Sequence, residues 1–367
     1  MKKIIICTSK FGNPVTDYFK NLGDSFVNNG YKVVYIFDRL YNDYPEEIDS
    51  FGYYTWPNIR PTKISDFIFF YKVLKKEKPE LCISNFGSTN VVSIVSFLFR
   101  VKNRVNYIHT TSIQLSTDSE INFLQNKFLY YRKKCVYSLN THFFTNSIGN
   151  KKDSSKYYNI SKNKISVFPL LIKKSKLTYK HLEQRENCIT IVGRLHPSKG
   201  HRELFYLFNE CVKEKPNLKL KIIGDGFLKP DLIALAKNLN ITENITFYGK
   251  IPNEKISEIF SSSLIGISSS IDEAYGLVNI ESLREGTPII CTKTAGSIDI
   301  VNEGYNGLFI KLDDKTSLAR SVDEIINNWS TFSKNALNIF NERYNLDKIE
   351  KHYEEIKVKV DKGGFYL

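Results

Sequence analysis

The chain is 367 residues long with 42% hydrophobic residues and no low-complexity tract, which suits two globular domains and excludes a disordered or fibrous protein. Its formal charge of +13 is uneven: residues 1–180 hold 28 Lys and Arg against 13 Asp and Glu, and residues 181–367 hold 24 against 26. An anionic partner is therefore implied for the first half only, nucleic acid or an acidic membrane surface, with a lysine-rich solvated face as the simpler alternative. The six cysteines have no C-x-x-C spacing and fall mostly in apolar runs, so they read as buried free thiols in a reducing cytosol, not as disulfides or a metal site. The N-terminal apolar run stops at Cys7, too short for a signal peptide, and no stretch approaches the ~18 apolar residues of a membrane span.

Residues 2–8 predict an apolar strand, Asn13-Pro14 a helix start with Asn as cap and Pro at the first helical position, and residues 33–37 a second strand. Strand, helix and strand at this length make a right-handed βαβ unit, the opening of a doubly wound parallel sheet. The loop between them, Ser9-Lys10-Phe11-Gly12, lacks the G-x-G-x-x-G of a dinucleotide site, which counts against a nicotinamide or flavin enzyme. Residues 40–61 are rich in rings (Tyr41, Tyr44, Phe51, Tyr53, Tyr54, Trp56) that either stack on a glycan or pack on one another. Residues 64–78, 89–100 and 121–139 predict three helices with aromatic bodies and basic ends, the last running into Arg132-Lys133-Lys134. Rings at the headgroup boundary with cations beside lipid phosphates are what an interfacial helix needs; a core helix with a solvated tail is the alternative for each. Residues 105–108 predict a strand ending at His109-Thr110-Thr111, the carboxyl edge where open α/β sheets bind ligands, and residues 112–119 a polar loop at the same edge. The polar, lysine-rich residues 173–186 predict a linker.

After the linker the pattern restarts with a strand at residues 189–192, followed by Gly193-Arg194-Leu195 and Lys199-Gly200. Two fixed cations at a strand's carboxyl end clamp a diphosphate, Arg by a fork of donors and Lys as a point charge. A further strand at residues 264–268 leads into E-A-Y-G-L-V-N-I-E, with Glu273 in the loop, Gly276 letting the backbone approach a ligand and Glu281 inside the following helix. N–H groups at that helix start attract an anion, so a phosphate fits beside Tyr275, Gly276, Leu277 and Val278 while the two acids suit sugar hydroxyls.

The segment from Glu273 to Glu281, followed by Gly286-Thr287-Pro288, resembles the E-x7-E segment of the family-four retaining glycosyltransferases, whose members usually read E-G-F-G-x-x-x-x-E-A-x-A-x-G-x-P. It departs from them at Ala274, Tyr275 and Ser282-Leu283-Arg284. The resemblance is strongest over residues 188–308 and includes the G-R-L-x3-K-G arrangement at Arg194 and Lys199. It implies the GT-B fold: two facing Rossmann-like domains with parallel sheets and a C-terminal helix crossing back to the first. The acceptor domain would span residues 1–175 plus helix 346–367, and the nucleotide-sugar domain residues 185–343. It also implies roles. Arg194 and Lys199 hold the donor diphosphate, Glu273 the donor sugar, Glu281 the ribose hydroxyls, and the backbone at Lys250 and Ile251 the base. His109 stands close to the donor sugar, Gly12 faces the phosphates, and Ala274 joins Tyr275, Gly276, Leu277 and Val278 around the donor.

The sequence thus reads as a metal-independent retaining hexosyl- or N-acetylhexosaminyltransferase with catalytic residues Glu273, His109, Arg194 and Lys199. It uses no cofactor beyond a nucleotide-sugar donor, expected to be a UDP-sugar, and works in cell-surface polysaccharide synthesis on a lipid-linked oligosaccharide or lipopolysaccharide-type acceptor. The absence of a D-x-D motif agrees with cations and a helix terminus neutralising the leaving diphosphate. The expected location is cytoplasmic, peripheral on the inner membrane face through the basic half. No RNA-binding signature, helix-turn-helix or zinc spacing supports a nucleic-acid partner. A non-catalytic sugar-nucleotide binder and an enzyme with a soluble acceptor are the alternatives.

Overall fold

The computed structural model describes residues 1–9, 13–39, 52–117 and 123–361. The chain divides into two compact units: Met1–Ser112 with Ser119–Ile172 and Leu346–Leu367, and Lys173–Asn345 with Ile113–Asp118.

In the first unit the described strands are β1 Lys3–Thr8, β2 Lys32–Phe37, β3 Gly52–Thr55, β4 Leu81–Asn85, β5 Asn103–Ile108, β6 His142–Thr145 and β7 Ile165–Val167. They form one sheet in the order β3-β2-β1-β4-β5-β6-β7, parallel at each pairing. Helices cover both faces of such a sheet, so its strands are continuously apolar, and Ile4, Ile5 and Ile6 are all fully buried. The helix Pro14–Asn28 begins as its residues require: the Asn13 side chain accepts from the Val15 and Thr16 N–H groups, and Pro14 supplies a preset φ. The chain leaves this unit at Ile172 and rejoins it at Leu346, whose N–H bonds the Ile172 carbonyl at 2.9 Å. The last helix, Ile349–Asp361, lies on Pro14–Asn28, joined by Tyr18 Oη to His352 Nδ1 at 2.9 Å and by Ser25 Oγ donating to Glu350 at 2.6 Å.

The second unit repeats the plan with β8 Glu186–Val192, β9 Lys219–Ile223, β10 Ile245–Gly249, β11 Ser263–Ser268, β12 Ile289–Thr292 and β13 Gly307–Ile310, in the order β10-β9-β8-β11-β12-β13. Both units are therefore doubly wound. The strand order reverses between β1 and β4 in one and between β8 and β11 in the other, and ligands bind at the carboxyl ends beside such a reversal.

Three sequence expectations need correction. Residues 112–117 form the short helix Ser112–Thr117, not a polar loop, because the Asp153 carboxylate accepts from both the N–H and the hydroxyl of Ser112, at 2.7 and 2.6 Å. The polar residues read as a linker are fastened to the second unit: Ser175 donates to Glu285, Tyr179 Oη meets Ser333 Oγ, and the buried Arg185 guanidinium donates to Phe260, Ser263 and Glu285 carbonyls over the Trp329 ring. In Arg132-Lys133-Lys134 only Arg132 is exposed. Lys133 lies over the Tyr137 and Tyr158 rings at 5.5 and 5.4 Å and burial pushes its ammonium down to about 8, while Lys134 lies over Tyr130. Among the residues 40–61 rings, Trp56 is buried against Phe69 and Phe70, so here the rings pack on the protein; Tyr41, Tyr44 and Phe51 fall outside the described residues. Five of the six cysteines are buried and Cys135 is exposed, all as free thiols.

Candidate active site

The carboxyl edge of the second sheet is built by loops in direct backbone contact. After β8, the turn Pro197–Lys199 ends at Gly200, whose φ of +64° is left-handed. A Cβ there would stand 2.1 Å from the Ser269 carbonyl oxygen, so only glycine lets the loop after β8 touch the loop after β11. Two bonds stitch these loops, Ser269 Oγ to the Lys199 carbonyl at 2.8 Å and Ile271 N–H to the Ser198 carbonyl at 2.9 Å. The result is an ion pair between Lys199 Nζ and Glu273 Oε2, both side chains about four-fifths shielded from solvent. On the β9 side, Gly224 has φ of +130° and its missing Cβ would meet the Gly193 carbonyl oxygen at 1.8 Å, while Leu195 N–H bonds the Asp225 carbonyl at 3.0 Å. These contacts fix the backbone around Arg194, whose side chain is exposed.

Beyond Glu273 the chain reaches Gly276, with φ of +88°, and enters the helix Leu277–Arg284. The turn after β12 closes over this loop: Gly296 N–H bonds the Glu273 carbonyl at 2.8 Å, and a Cβ on Gly296 would fall 2.2 Å from the Tyr275 carbonyl oxygen. Ala274 and Tyr275 are buried, Leu277 and Val278 half-buried. Asn279, in the first helical turn, is buried with its Oδ1 unsatisfied beside Gly276, a polar orphan at the helix terminus.

Glu281 lies one turn further in and is 7% exposed. Burial pushes its carboxyl up to about 7, with the Arg284 guanidinium opposing that shift and Glu285 adding to it. A desolvated carboxyl of this kind accepts from ligand hydroxyls more readily than it meets a phosphate. Ile251 and Val278 pack beside Ile223, Ile256 and Phe260, so at these two positions the side chains serve the core and the main chain is what remains for a ligand; Lys250 is exposed.

The structure thus gathers Lys199, Glu273, Gly276 and the helix start at one sheet edge, with Arg194, Lys250 and Ile251 on the neighbouring loops of the same edge. His109 belongs to the first unit, after β5. Its Nε2 meets Asn85 Oδ1 at 2.8 Å, its ring is stacked between Phe86 and Tyr107, and burial pushes its imidazolium down to about 3, so it is a neutral imidazole. Gly12 lies outside the described residues. Sequence reasoning missed Ser269 and Asn279, whereas Thr294-Ala295-Gly296-Ser297 resembles the family's glycine-rich turn after the second acid; the hydroxyl at 269 carries no local mark, so only the folded loops reveal it. Among the described residues no three His, Cys, Asp or Glu side chains gather as a metal ion would require, and no helix is long and apolar enough to cross a membrane.

Residues 174–342 match the family described as glycosyl transferases group 1. An uncharacterized glycosyltransferase of Methanocaldococcus jannaschii is 27% identical over 189 residues, covering 50% of this chain and 48% of that protein. The N-acetylgalactosamine-N,N'-diacetylbacillosaminyl-diphospho-undecaprenol 4-alpha-N-acetylgalactosaminyltransferase of Campylobacter jejuni is 27% identical over 243 residues, covering 65% of this chain and 64% of that one. The chain therefore spans about half to two thirds of the length of these curated relatives. Anabaena HepE, solved in complex with UDP and glucose, shares the fold with a TM-score of 0.75 at 14% identity, over 98% of this chain and 100% of that one. Residues 174–342, with the cation and acid loops at their sheet edge, are accordingly the part of the chain that is similar to the group 1 glycosyl transferases.

Proposed function

We propose that the protein is a retaining glycosyltransferase that takes a nucleotide diphosphate sugar, a UDP-hexose or UDP-N-acetylhexosamine, on its second unit and a lipid-linked glycan on its first. The observation that carries this reading is the Lys199–Glu273 pair held at the strand reversal beside a helix start, with the buried Glu281 one turn along. In the absence of donor, Glu273 neutralises Lys199. A diphosphate exchanges for Glu273 as the partner of Lys199, and Arg194 and the N–H groups after Gly276 share its charge. Glu273 is then released toward sugar hydroxyls, and Glu281 accepts from the ribose. The bond from the anomeric carbon to the diphosphate oxygen breaks, and the bond to the acceptor oxygen forms on the same face. The acceptor proton passes to the departing phosphate oxygen, so no protein base is required, and the fixed cations stabilise the leaving group without a metal.

A lipid-linked acceptor fits the outer surface of the first unit. The helix Phe123–Ser138 exposes Leu124, Phe128 and Tyr131, spaced as one stripe, between the exposed cations Lys127 and Arg132. The helix Ile64–Glu77 exposes Ile64, Ile68 and Tyr71 in the same pattern, and Thr89–Leu98, packed between those two helices, exposes Phe97 and Leu98. Apolar stripes edged by cations suit the face of an anionic bilayer.

The test is ligand binding by calorimetry together with release of nucleoside diphosphate from a panel of nucleotide sugars. Arg194→Ala and Lys199→Ala should each weaken UDP binding by about 1.5–3 kcal/mol. Glu281→Ala should weaken UDP and UDP-sugar alike, whereas Glu273→Ala should spare UDP and lower turnover. Unchanged UDP affinity in both cation variants sinks the assignment, and tight binding without turnover across the panel leaves a sugar-nucleotide binder.

A further inference from the structure

The strand reversal of the first unit carries a backbone oddity. Phe86, directly after β4, has φ of +49°, while the adjacent Gly87 does not take a left-handed φ. A bulky aromatic in that region is strained and persists only where its surroundings over-determine it. They do so here. Ser88 Oγ donates to the Asn85 carbonyl at 2.6 Å, Thr89 Oγ1 donates to the Phe86 carbonyl at 3.0 Å, and Asn85 Nδ2 donates to the Cys7 carbonyl at 2.9 Å. If the turn served chain reversal alone, glycine at position 86 would remove the strain.

The strain instead sets the Phe86 ring on top of a column. Its centroid is 4.3 Å from that of His109 at an interplanar angle of 12°, and His109 lies 4.4 Å from Tyr107 at 19°. Tyr107 Oη donates to the Phe168 carbonyl and anchors the base of the column. Phe86 is still 46% exposed, so with one face on His109 its open surface is the outer face and rim. Because Asn85 Nδ2 is engaged by Cys7, Asn85 Oδ1 accepts from His109 Nε2, which leaves His109 Nδ1 as an acceptor beside the platform.

We infer that Phe86 is the stacking platform for a pyranose ring of the acceptor and so determines acceptor specificity, a reading that rests on the glycosyl transfer proposed above. A hexopyranose has a face of axial C–H groups that meets the negative face of an aromatic ring, and equatorial hydroxyls that need acceptors at the rim. A flat ring at a ligand-binding edge, fixed by a strained backbone and bordered by a neutral imidazole, supplies both.

Saturation-transfer-difference NMR on the full chain with methyl α-D-glucopyranoside and methyl α-D-galactopyranoside tests this, with uridine as a control for indiscriminate stacking. The axial ring protons of at least one hexoside should receive saturation. Phe86→Gly and Phe86→Asn, which relieve the left-handed strain, should abolish that transfer, weakening hexoside binding about tenfold, with no fall in melting temperature. Phe86→Trp should retain it. Undiminished transfer in the Gly and Asn variants, no transfer from either hexoside in the unaltered chain, or transfer from uridine alone each overturns the platform. A lowered melting temperature with hexoside contact intact would make Phe86 a packing residue. UDP affinity, measured on the same samples, should stay unchanged in all three variants; its absence in the unaltered chain counts against the donor site and leaves the hexoside result readable by itself.

Discussion

The two units solve one architectural problem with different materials. Each sheet reverses its strand order at equivalent strands, and each must shape the loops there into a ligand edge. In the second unit the shaping is done by backbone: Gly200, Gly224 and Gly296 bring carbonyls to within 2.1, 1.8 and 2.2 Å of where a Cβ would stand. In the first unit it is done by side chains, with Asn85, Ser88, Thr89 and His109 holding a strained phenylalanine. A diphosphate is recognised through main-chain N–H groups and point charges, which glycine loops present without side-chain bulk. A sugar ring is recognised through flat apolar faces and individual acceptors, which only side chains provide. Under the proposed function, a donor edge is written in glycines and an acceptor edge in residues with no common spacing.

The strongest way to break this comparison is to place a methyl group on the backbone-built edge. Gly224→Ala meets both a φ of +130° and a carbonyl at 1.8 Å, and should destabilise the second unit by about 3 kcal/mol or more. The chain's two tryptophans make this readable, since Trp56 is buried in the first unit and Trp329 in the second. In a Trp56→Phe background the urea midpoint reported by Trp329 should fall sharply. In a Trp329→Phe background the Trp56 midpoint should barely move. Equal shifts in both would mean that the two edges depend on each other and the contrast is false.

A smaller effect is expected at Glu281. Burial pushes its folded carboxyl up to about 7, from the ordinary value of 4.5. Between those two values the native state holds a proton that the unfolded state has lost, so stability falls as pH rises through this window and the full penalty is present above pH 7. Glu281→Gln removes the buried charge. The variant should match the unaltered chain at pH 4.5 and exceed it by about 1–3 kcal/mol at pH 8, seen as a higher urea midpoint, while binding UDP more weakly. A variant less stable at pH 8 would show that Glu281 has a compensating partner in the folded state and is not held ready for a ligand.

Legibility in the sequence follows the same division. The βαβ openings, the Asn13-Pro14 cap and the restart after the first unit were visible because apolar strands, caps and glycines leave local marks. Lys199, Glu273 and Gly276 could be expected at one sheet edge because the strand ends before them and the glycine leave local marks, and the fold brings them together there. Phe86 was not visible, since in Asn85-Phe86-Gly87 the glycine is the natural candidate for a left-handed turn, and only hydrogen bonds from Ser88 and Thr89 move that conformation one residue earlier. Asn279 and its orphaned Oδ1 escaped for a related reason, because a polar residue inside a helical pattern gives no sign of which atoms the fold will leave unpaired. The segment at residues 173–186 looked like a linker because hydrogen bonds, not apolar contacts, fasten it, and composition does not distinguish a polar segment that is bonded from one that is free.

The smallest effects belong to the basic surface of the first unit, where total charge overstates what a membrane would meet. Lys133 lies over two tyrosine rings and burial pushes its ammonium down to about 8, so this cation is turned into the protein and is not presented to solvent. Lys127 and Arg132 flank the exposed stripe of Leu124, Phe128 and Tyr131 and remain in solvent. A cation close to an anionic leaflet contributes about 1 kcal/mol, so Lys127→Gln and Arg132→Gln should each reduce partitioning onto phosphatidylserine vesicles about fivefold at low salt. The loss should shrink as salt shortens the Debye length. Lys133→Gln should leave partitioning unchanged and lower the melting temperature, because it removes two cation–π contacts and no surface charge. Phe128→Ser should weaken binding at every salt concentration, since burial of a ring in the interface is not screened. If Lys133→Gln reduces flotation as much as Arg132→Gln does, the rings release the ammonium at the membrane and the three cations act together. If none of the four substitutions matters, the charge of the first unit is only a solvated surface, and a soluble glycan replaces the lipid-linked one in the proposed function.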